Sequence, residues 1–185
     1  MNRGVATSPI VALTGFMAAG KSSVARALGK FLRWNCFDLD FEIERRENLS
    51  VREIFQVHGE PRFREIETEA LRSVLSQAVA PTVIALGGGT SVQPQNAQLL
   101  RRHGAHVVFL EVDVEQLLQR CCAASSRCAE NPRPLARDAD AFRALYAQRL
   151  PQYRKATLTV NTEGKSIDKT AREIAVALHL PARSR

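Results

Sequence analysis

The chain has 185 residues, which suits one domain with a single large core. Its hydrophobic content of 45% and charged content of 24% are ordinary for a soluble globular protein. The net charge of +7 favours anionic partners, but no basic stripe or base-stacking surface stands out among scattered basic residues and 6% aromatic residues. A nucleotide and an anionic small substrate explain the charge as well as nucleic acid does.

The ends of the chain and its cysteines bear on its location. No basic-then-apolar leader is present, and no apolar run approaches the roughly 20 residues of a membrane span. The four cysteines form neither a Cys-x-x-Cys pair nor a zinc-finger pattern with the histidines. Reduced thiols are expected in a domain with this much core. We therefore expect a cytoplasmic protein.

The first predicted strand, residues 10–14, leads into a Gly-x-x-x-x-Gly-Lys-Ser motif at residues 15–22. A helix is predicted at residues 21–31, so the motif has the strand-loop-helix context that a phosphate-binding P-loop needs. Loop N–H groups and the helix N-terminus would form the phosphate cradle. Lys21 can reach the β- and γ-phosphates, and the Ser22 hydroxyl can hold Mg²⁺. The motif predicts binding of a nucleoside triphosphate.

Beyond the P-loop, short β-rich runs alternate with amphipathic segments, which indicates an α/β layered fold. Further strands are predicted at residues 35–39, 82–86, 106–112 and 157–161. Helices are predicted at residues 51–57, 60–79, 94–103, 114–122, 141–149 and 166–178. Ser50 and Glu53 form a capping-box pattern, Ser166 is a plausible N-cap, and the helix at 141–149 is expected to end against Pro151. The expected architecture is a five-stranded parallel sheet wrapped by helices, with no linker or repeat.

In such a sheet the ligand lies outside the carboxyl ends of the strands. The P-loop follows the first strand, Asp38 and Asp40 close the second, and three glycines at residues 87–89 close the third. Each feature also has a simpler interpretation, since aspartates cap helices and glycines form tight turns. Apolar periodicity stops at residues 123–140, and a loop of that length is usually functional or disordered. Convergence on one cleft favours a functional site.

Together these motifs resemble the shikimate kinase family, over about residues 10–178. The matching pieces are the P-loop at 15–22, Asp38-x-Asp40 with Ile43-Glu44, Ser50-Val51-Arg52-Glu53-Ile54-Phe55, Gly59-Glu60-Pro61-Arg62-Phe63-Arg64 with Glu67, Leu86-Gly87-Gly88-Gly89, Arg133-Pro134-Leu135 and Arg149-Leu150-Pro151-x-Tyr153. Many kinases share a P-loop, but the ordered set is far more specific. The resemblance implies a three-layer P-loop kinase fold with a mobile lid. It also implies phosphorylation of the 3-hydroxyl of shikimate by MgATP, on the route to chorismate and aromatic amino acids.

The resemblance also implies roles for matching residues in a single domain spanning residues 1–185, with its core at about 10–180. The expected nucleotide-binding residues are Ala18, Ala19, Gly20, Lys21, Ser22, Ser23, Arg127 and Arg133. The expected shikimate-binding residues are Asp40, Arg64, Gly87, Gly88, Gly89 and Arg149, with substrate-binding helices at about 41–79. Lys21, Asp40 and Arg133 are the expected catalytic residues, and Ser22 and Asp38 the expected Mg²⁺ ligands. Arg127 and Arg133 would belong to a lid at about 123–140, in a monomer that binds neither nucleic acid nor membrane.

Three positions depart from the family pattern. Ala18 stands where many members have glycine, and it is tolerated if its backbone avoids a positive φ. Ser23 replaces the usual threonine. The third strand ends in glycine, where a generic P-loop NTPase has an aspartate, so the resemblance gives Asp38 the metal role.

The sequence does not exclude two other functions. A related P-loop kinase, such as a gluconate kinase, would share the P-loop but is not expected to carry the Asp-x-Asp, Phe-Arg and Gly-Gly-Gly set together. A non-catalytic kinase-like binding module would not need the intact residues Lys21, Ser22, Asp38, Asp40 and Arg133. Nucleic-acid binding ranks below both, and a steep salt dependence of binding would favour it.

Overall fold

The computed structural model describes residues 9–78, 80–127 and 138–181. Five strands form one parallel sheet, as predicted, in the spatial order β2-β3-β1-β4-β5. The strands are β1 (Ile10–Thr14), β2 (Asn35–Asp38), β3 (Thr82–Ala85), β4 (His106–Glu111) and β5 (Leu158–Asn161). The helices are α1 (Lys21–Leu32), α2 (Leu39–Glu47), α3 (Val51–Gln77), α4 (Pro94–Arg102), α5 (Val114–Arg127), α6 (Ala139–Tyr153) and α7 (Ile167–Ala177). A short 3₁₀ turn covers Thr90–Val92.

The central strand β1 has a separate hydrophobic layer on each of its faces. Val11 and Leu13 belong to one cluster, which includes buried residues of α1 and α7. Ile10 and Ala12 belong to the other, which includes buried residues of α2 and α3. Successive strand side chains point to opposite faces, so a continuously apolar strand packs helices on both sides. The result is the expected three-layer fold, with β1 and its P-loop at the centre.

The helix α3 joins two helices that the sequence predicted separately. Its N-terminus carries the expected capping box, because the Ser50 hydroxyl accepts from the Glu53 N–H at 3.2 Å and the Glu53 carboxylate accepts from the Ser50 N–H at 2.7 Å. Gly59 adopts φ 74 and ψ 172, which interrupts the helical path, and Pro61 follows within the next turn. This kink separates the short helix after Ser50 from the longer one that carries Arg64.

Several predicted boundaries are wrong. The helix α5 continues to Arg127, so residues 123–127 are helical rather than loop. The helix α6 begins at Ala139 and passes through Pro151 to Tyr153, instead of ending against the proline. Proline removes one N–H donor but leaves its carbonyl, and here it lies in the last turn, where Arg154 N–H still reaches the Leu150 carbonyl at 3.0 Å.

Two observations concern the class of protein. In the three described ranges, no helix combines the length and apolar character that crossing a membrane requires. Cys36, Cys121 and Cys122 form no disulfide with one another. Cys128 lies outside the described residues.

Candidate active site

The loop between β1 and α1 has the conformation of an anion-binding loop. Lys21, the first residue of α1, donates from Nζ to the carbonyls of Gly15 and Phe16, both at 3.0 Å. Gly15 has φ 146, and a Cβ there would lie 2.9 Å from the Leu110 carbonyl oxygen. Gly20 has φ 88 and precedes the helix, where it offers no side chain to cap the first N–H groups. The start of α1 is therefore shaped to receive an anionic group.

Ala18 does not meet the condition under which the sequence predicted it to be tolerated. Its φ is 62, in the left-handed region that non-glycine residues rarely adopt. Its carbonyl accepts a long hydrogen bond of 3.5 Å from Nη1 of Arg120. A left-handed alanine costs about 1–2 kcal/mol relative to the right-handed conformation, so the P-loop carries local backbone strain.

Ala18→Gly should therefore stabilise the protein. Relief of the left-handed strain outweighs the extra backbone entropy that glycine gains in the unfolded chain. The free energy of unfolding should therefore rise by about 0.5–1 kcal/mol. Equilibrium urea unfolding measures the gain. The control is Ala19→Gly in the same loop. Ala19 has no positive φ and is buried, so removing its methyl group should destabilise the protein. A lower unfolding midpoint for Ala18→Gly than for the parent would contradict the strain argument.

Beside the P-loop, a pocket of about 640 Å³ brings together the predicted Mg²⁺ ligands and Asp40. Ser22, Asp38 and Asp40 are among the residues that line it. Asp38 ends β2 and also caps α2, because its Oδ1 accepts the Phe41 N–H at a long 3.5 Å. Asp40 lies in the first turn of α2 rather than on the strand, which corrects the prediction that both aspartates close β2. The capping interpretation is thus correct for Asp38, which also faces the pocket.

The carboxyl group of Asp40 has an unusual environment. Burial raises its pKa from 3.8 to about 6, and the negative charges of Asp38, Glu67 and Glu44 act in the same direction. The ammonium of Lys21 opposes this rise. A carboxylate with such a pKa is ionised at neutral pH and is more basic than an ordinary aspartate, which suits it to accept a proton.

Two of the three glycines at residues 87–89, Gly87 and Gly89, are required because polar side chains approach their backbone. A Cβ at Gly87 would lie 2.8 Å from Asp40 Oδ1 and 2.9 Å from both Glu67 Oε1 and Thr90 Oγ1. A Cβ at Gly89 would lie 2.6 Å from Nη1 of Arg64. These contacts are closer than real Cβ atoms make, so the glycine run does more than form a turn.

Arg64 is fixed in place by carboxylates and aromatic rings. It donates to Glu60 at 2.8 Å and to Glu67 at 3.0 Å, and its guanidinium carbon lies 5.3 Å from the centroid of Phe63. Glu67 is only 1% exposed, and its other oxygen accepts the Thr90 hydroxyl at 2.6 Å. This network holds the planar guanidinium group of Arg64 against Gly89.

Arg149 approaches the loop at residues 87–89, the glycine loop, from α6. Its Nη1 lies 3.4 Å from the Gly88 carbonyl oxygen, and its guanidinium carbon lies 5.8 Å from the Phe16 ring centroid. Gly88 also adjoins the P-loop, since a Cβ there would be 3.6 Å from the Met17 nitrogen. The acceptor candidates and the nucleotide candidates are therefore contiguous.

The structure thus brings most of the predicted site residues to one edge of the sheet. Arg133 and residues 128–137 of the lid predicted at about 123–140 lie outside the described residues, and Arg127 is described only as the last residue of α5. Sequence reasoning assigned no role to Glu67, Thr90 or Tyr153, all of which contact the glycine loop or its partners. The spacing of Glu67, three residues after Arg64 on a helix, was an available signal for that ion pair.

Comparisons with known proteins identify the family of this chain. The family model for "Shikimate kinase" matches residues 17–179. A shikimate kinase of Geobacter metallireducens is 41% identical over 167 residues, which covers 89% of this chain and 88% of that protein. A shikimate kinase of Thermus thermophilus is 37% identical, covering 95% of this chain and 92% of its own.

Solved structures give the same family. The shikimate kinase from Acinetobacter baumannii in complex with shikimate has a TM-score of 0.81 and 32% identity, covering 96% of this chain and 97% of that one. A gluconokinase from Sinorhizobium meliloti has a TM-score of 0.60 but 16% identity, covering 95% of this chain and 94% of that one. The second likeness concerns the fold alone.

Proposed function

This chain belongs to the shikimate kinase family, and we propose that the site described above transfers the γ-phosphoryl group of ATP to the 3-hydroxyl of shikimate. The products are shikimate 3-phosphate and ADP. The chain is an ATP-dependent small-molecule kinase. The observation that carries the residue assignments is the meeting of Asp40, Arg64 and Arg149 around the glycine loop, next to the P-loop.

Shikimate binding follows from charge and shape in this proposal. The carboxylate of shikimate would lie between the guanidinium groups of Arg64 and Arg149, which offer paired donors in a fixed plane. The hydroxyl groups would lie toward Asp40 and the backbone of the loop at residues 87–89. Arg64 is preorganised for this task because Glu60 and Glu67 hold it before any ligand arrives.

Phosphoryl transfer would then proceed in line between the two substrates. The 3-hydroxyl oxygen attacks the γ-phosphorus, the bond to the ADP oxygen breaks, and Asp40 accepts the hydroxyl proton. Lys21 would stabilise the negative charge on the transferred group from the start of α1. Arg133, which lies outside the described residues, would add a second positive charge from the lid.

We propose Ser22 and Asp38 as the protein ligands of Mg²⁺. Both line the pocket beside the P-loop, and both offer oxygen atoms, which hard cations prefer. In the part of the chain that the structure describes, no group of three or more His, Cys, Asp or Glu residues could hold a metal. Two protein oxygens nonetheless fit Mg²⁺, which keeps several waters and binds substrate phosphates rather than an all-protein cage. The ion would neutralise phosphate charge during transfer.

The acceptor assignment is tested by removing either arginine. Each charge-assisted hydrogen bond is worth about 1.5–3 kcal/mol, so Arg64→Ala or Arg149→Ala should raise the KM for shikimate roughly 10- to 100-fold. The KM for ATP should change little, because neither residue belongs to the P-loop. A coupled ADP-release assay with each substrate varied in turn gives both constants.

Arg62→Ala is the matched control for this experiment. Arg62 lies on the same helix and pairs only with exposed Glu65 among the contacts described, so its loss should leave both KM values near those of the parent. If shikimate and gluconate are phosphorylated equally by the parent, the choice of acceptor is wrong. If the variants lose affinity for ATP and shikimate alike, the acceptor-site assignment fails while the nucleotide assignment survives.

Three broader assignments remain proposals. We propose that the protein acts as a monomer in the cytoplasm, without nucleic-acid or membrane partners. The composition supports the absence of a nucleic-acid partner, because the positive charge is scattered rather than gathered in a stripe.

A further inference from the structure

The carbonyl oxygen of Gly88 is contacted by a residue, Tyr153, to which the proposed function gives no role. Tyr153 is fully buried in the last turn of α6, and its hydroxyl donates a hydrogen bond to the Gly88 oxygen. Arg149, one turn earlier on α6, approaches the same oxygen at 3.4 Å. Burial raises the pKa of Tyr153 to about 12, and the positive charge of Arg149 opposes that rise. Two donor groups of α6 therefore meet at one carbonyl oxygen.

We propose that Tyr153 is a positioning residue for the acceptor, which it serves through Gly88 and Arg149 without touching shikimate. This inference rests on the proposed function. A peptide group is planar, so fixing the direction of the Gly88 oxygen also fixes the N–H of Gly89 on the opposite side of the same bond. The phenol stays protonated over the whole working pH range and remains a donor. Packing of its ring 5.2 Å from Phe109, nearly parallel to it, holds the hydroxyl in place.

Tyr153→Phe isolates this role because it deletes the hydroxyl and keeps the ring packing. We expect about a 5- to 10-fold rise in the KM for shikimate, the value of one ordinary hydrogen bond, with kcat and the KM for ATP nearly unchanged. A purely structural hydroxyl would lower thermal stability without separating the two KM values. In the double variant Tyr153→Phe/Arg149→Ala, the effects on shikimate KM should be less than additive, because both residues act on one carbonyl.

The chain provides a closely matched control in its other tyrosine. Tyr146 also lies on α6, and its hydroxyl donates to a backbone carbonyl, that of Val112, at 3.2 Å. Tyr146→Phe therefore removes a comparable hydrogen bond that does not reach the glycine loop. It should leave the KM for shikimate at the parental value.

A second measurement keeps the test independent of the folding of Tyr153→Phe. In the Tyr146→Phe background, incorporated 3-fluorotyrosine reports on Tyr153 alone, since the chain has two tyrosines. Its fluorine resonance should shift on saturation with shikimate. Equal shikimate KM values for Tyr153→Phe and Tyr146→Phe, or an unmoved resonance with shikimate bound, would overturn the inference. If the parent does not phosphorylate shikimate, the proposed function itself fails first.

Discussion

Lys21→Met is expected to lower kcat by about 10²–10³-fold while the protein stays folded, the usual cost of losing one preorganised electrostatic contact to a transition state. Lys21 is the first residue of α1 and directly follows Gly20, so its side chain starts at the helix N-terminus, where the proposed nucleotide phosphates would bind. Its two hydrogen bonds to the Gly15 and Phe16 carbonyls fix it across the loop. Methionine preserves the length and apolar stem but removes the charge.

Lys30→Met is the appropriate control, since Lys30 is an exposed lysine in the last turn of the same helix. It should keep the parental kcat. ADP release at saturating MgATP and shikimate measures the rate, and circular dichroism with thermal unfolding establishes that both variants are folded. A folded Lys21→Met protein with near-parental kcat would remove Lys21 from the transfer step.

The parts of the fold that were predictable depend on short stretches of chain. The strands β1 and β3 are buried along their whole length, and the capping box after Ser50 is readable from two residues. The P-loop combines a motif with a strand before it and a helix after it. Because each signal is local, the sequence predicted element type and order well, and erred mainly at boundaries such as Pro151.

The backbone angle of Ala18 could not be predicted in this way. Whether a residue in a loop adopts a positive φ depends on how the loop closes, and here the Lys21 hydrogen bonds and the close approach of Gly15 to Leu110 constrain it. The sequence alone favours a negative φ for alanine. The tertiary structure overrides that preference at a functional loop, where strain is often found.

The candidate site was predictable in outline but not in its supporting contacts. Ligands bind at the carboxyl ends of parallel strands, and this rule predicted from the pattern alone that Asp38, Asp40 and the glycine loop lie close together. The contact between Tyr153 and Gly88 joins residues 65 positions apart, and that between Thr90 and Glu67 joins residues 23 apart. Such pairs follow from the packing of α3 and α6 against the sheet edge, which no local pattern encodes.

Asp40→Asn is expected to lower kcat by about 10²–10⁴-fold, the range that general-base catalysis usually contributes. In the parent, kcat/KM for shikimate should rise with pH as Asp40 ionises around pH 6 and then level off. Asparagine has no such ionisation, so the residual activity of the variant should lack that limb of the profile. Initial rates between pH 5 and pH 8 provide the comparison.

The same substitution should make the protein more stable at neutral pH. The folded-state pKa of Asp40 is raised from 3.8 to about 6, so between these values the folded protein binds more protons than the unfolded chain. Its free energy of unfolding therefore falls as pH rises through this window, and above pH 6 the full cost of the buried charge is present. Removing the charge should recover about 1–3 kcal/mol at pH 7 and almost nothing at pH 4.

Asp168→Asn separates this effect from the general influence of a charge near a helix start. Asp168 lies in the first turn of α7, as Asp40 lies in the first turn of α2, but it is exposed. Its replacement should cost a few tenths of a kcal/mol at pH 7, since a carboxylate near a helix N-terminus is favourable. Urea unfolding at pH 7 should show changes of opposite sign in the free energy of unfolding of the two variants, and only Asp40→Asn should lose activity. Both results together would identify Asp40 as a carboxylate whose ionised form lowers stability but is needed for catalysis. A destabilised or fully active Asp40→Asn would instead mean that Asp40 has a structural role.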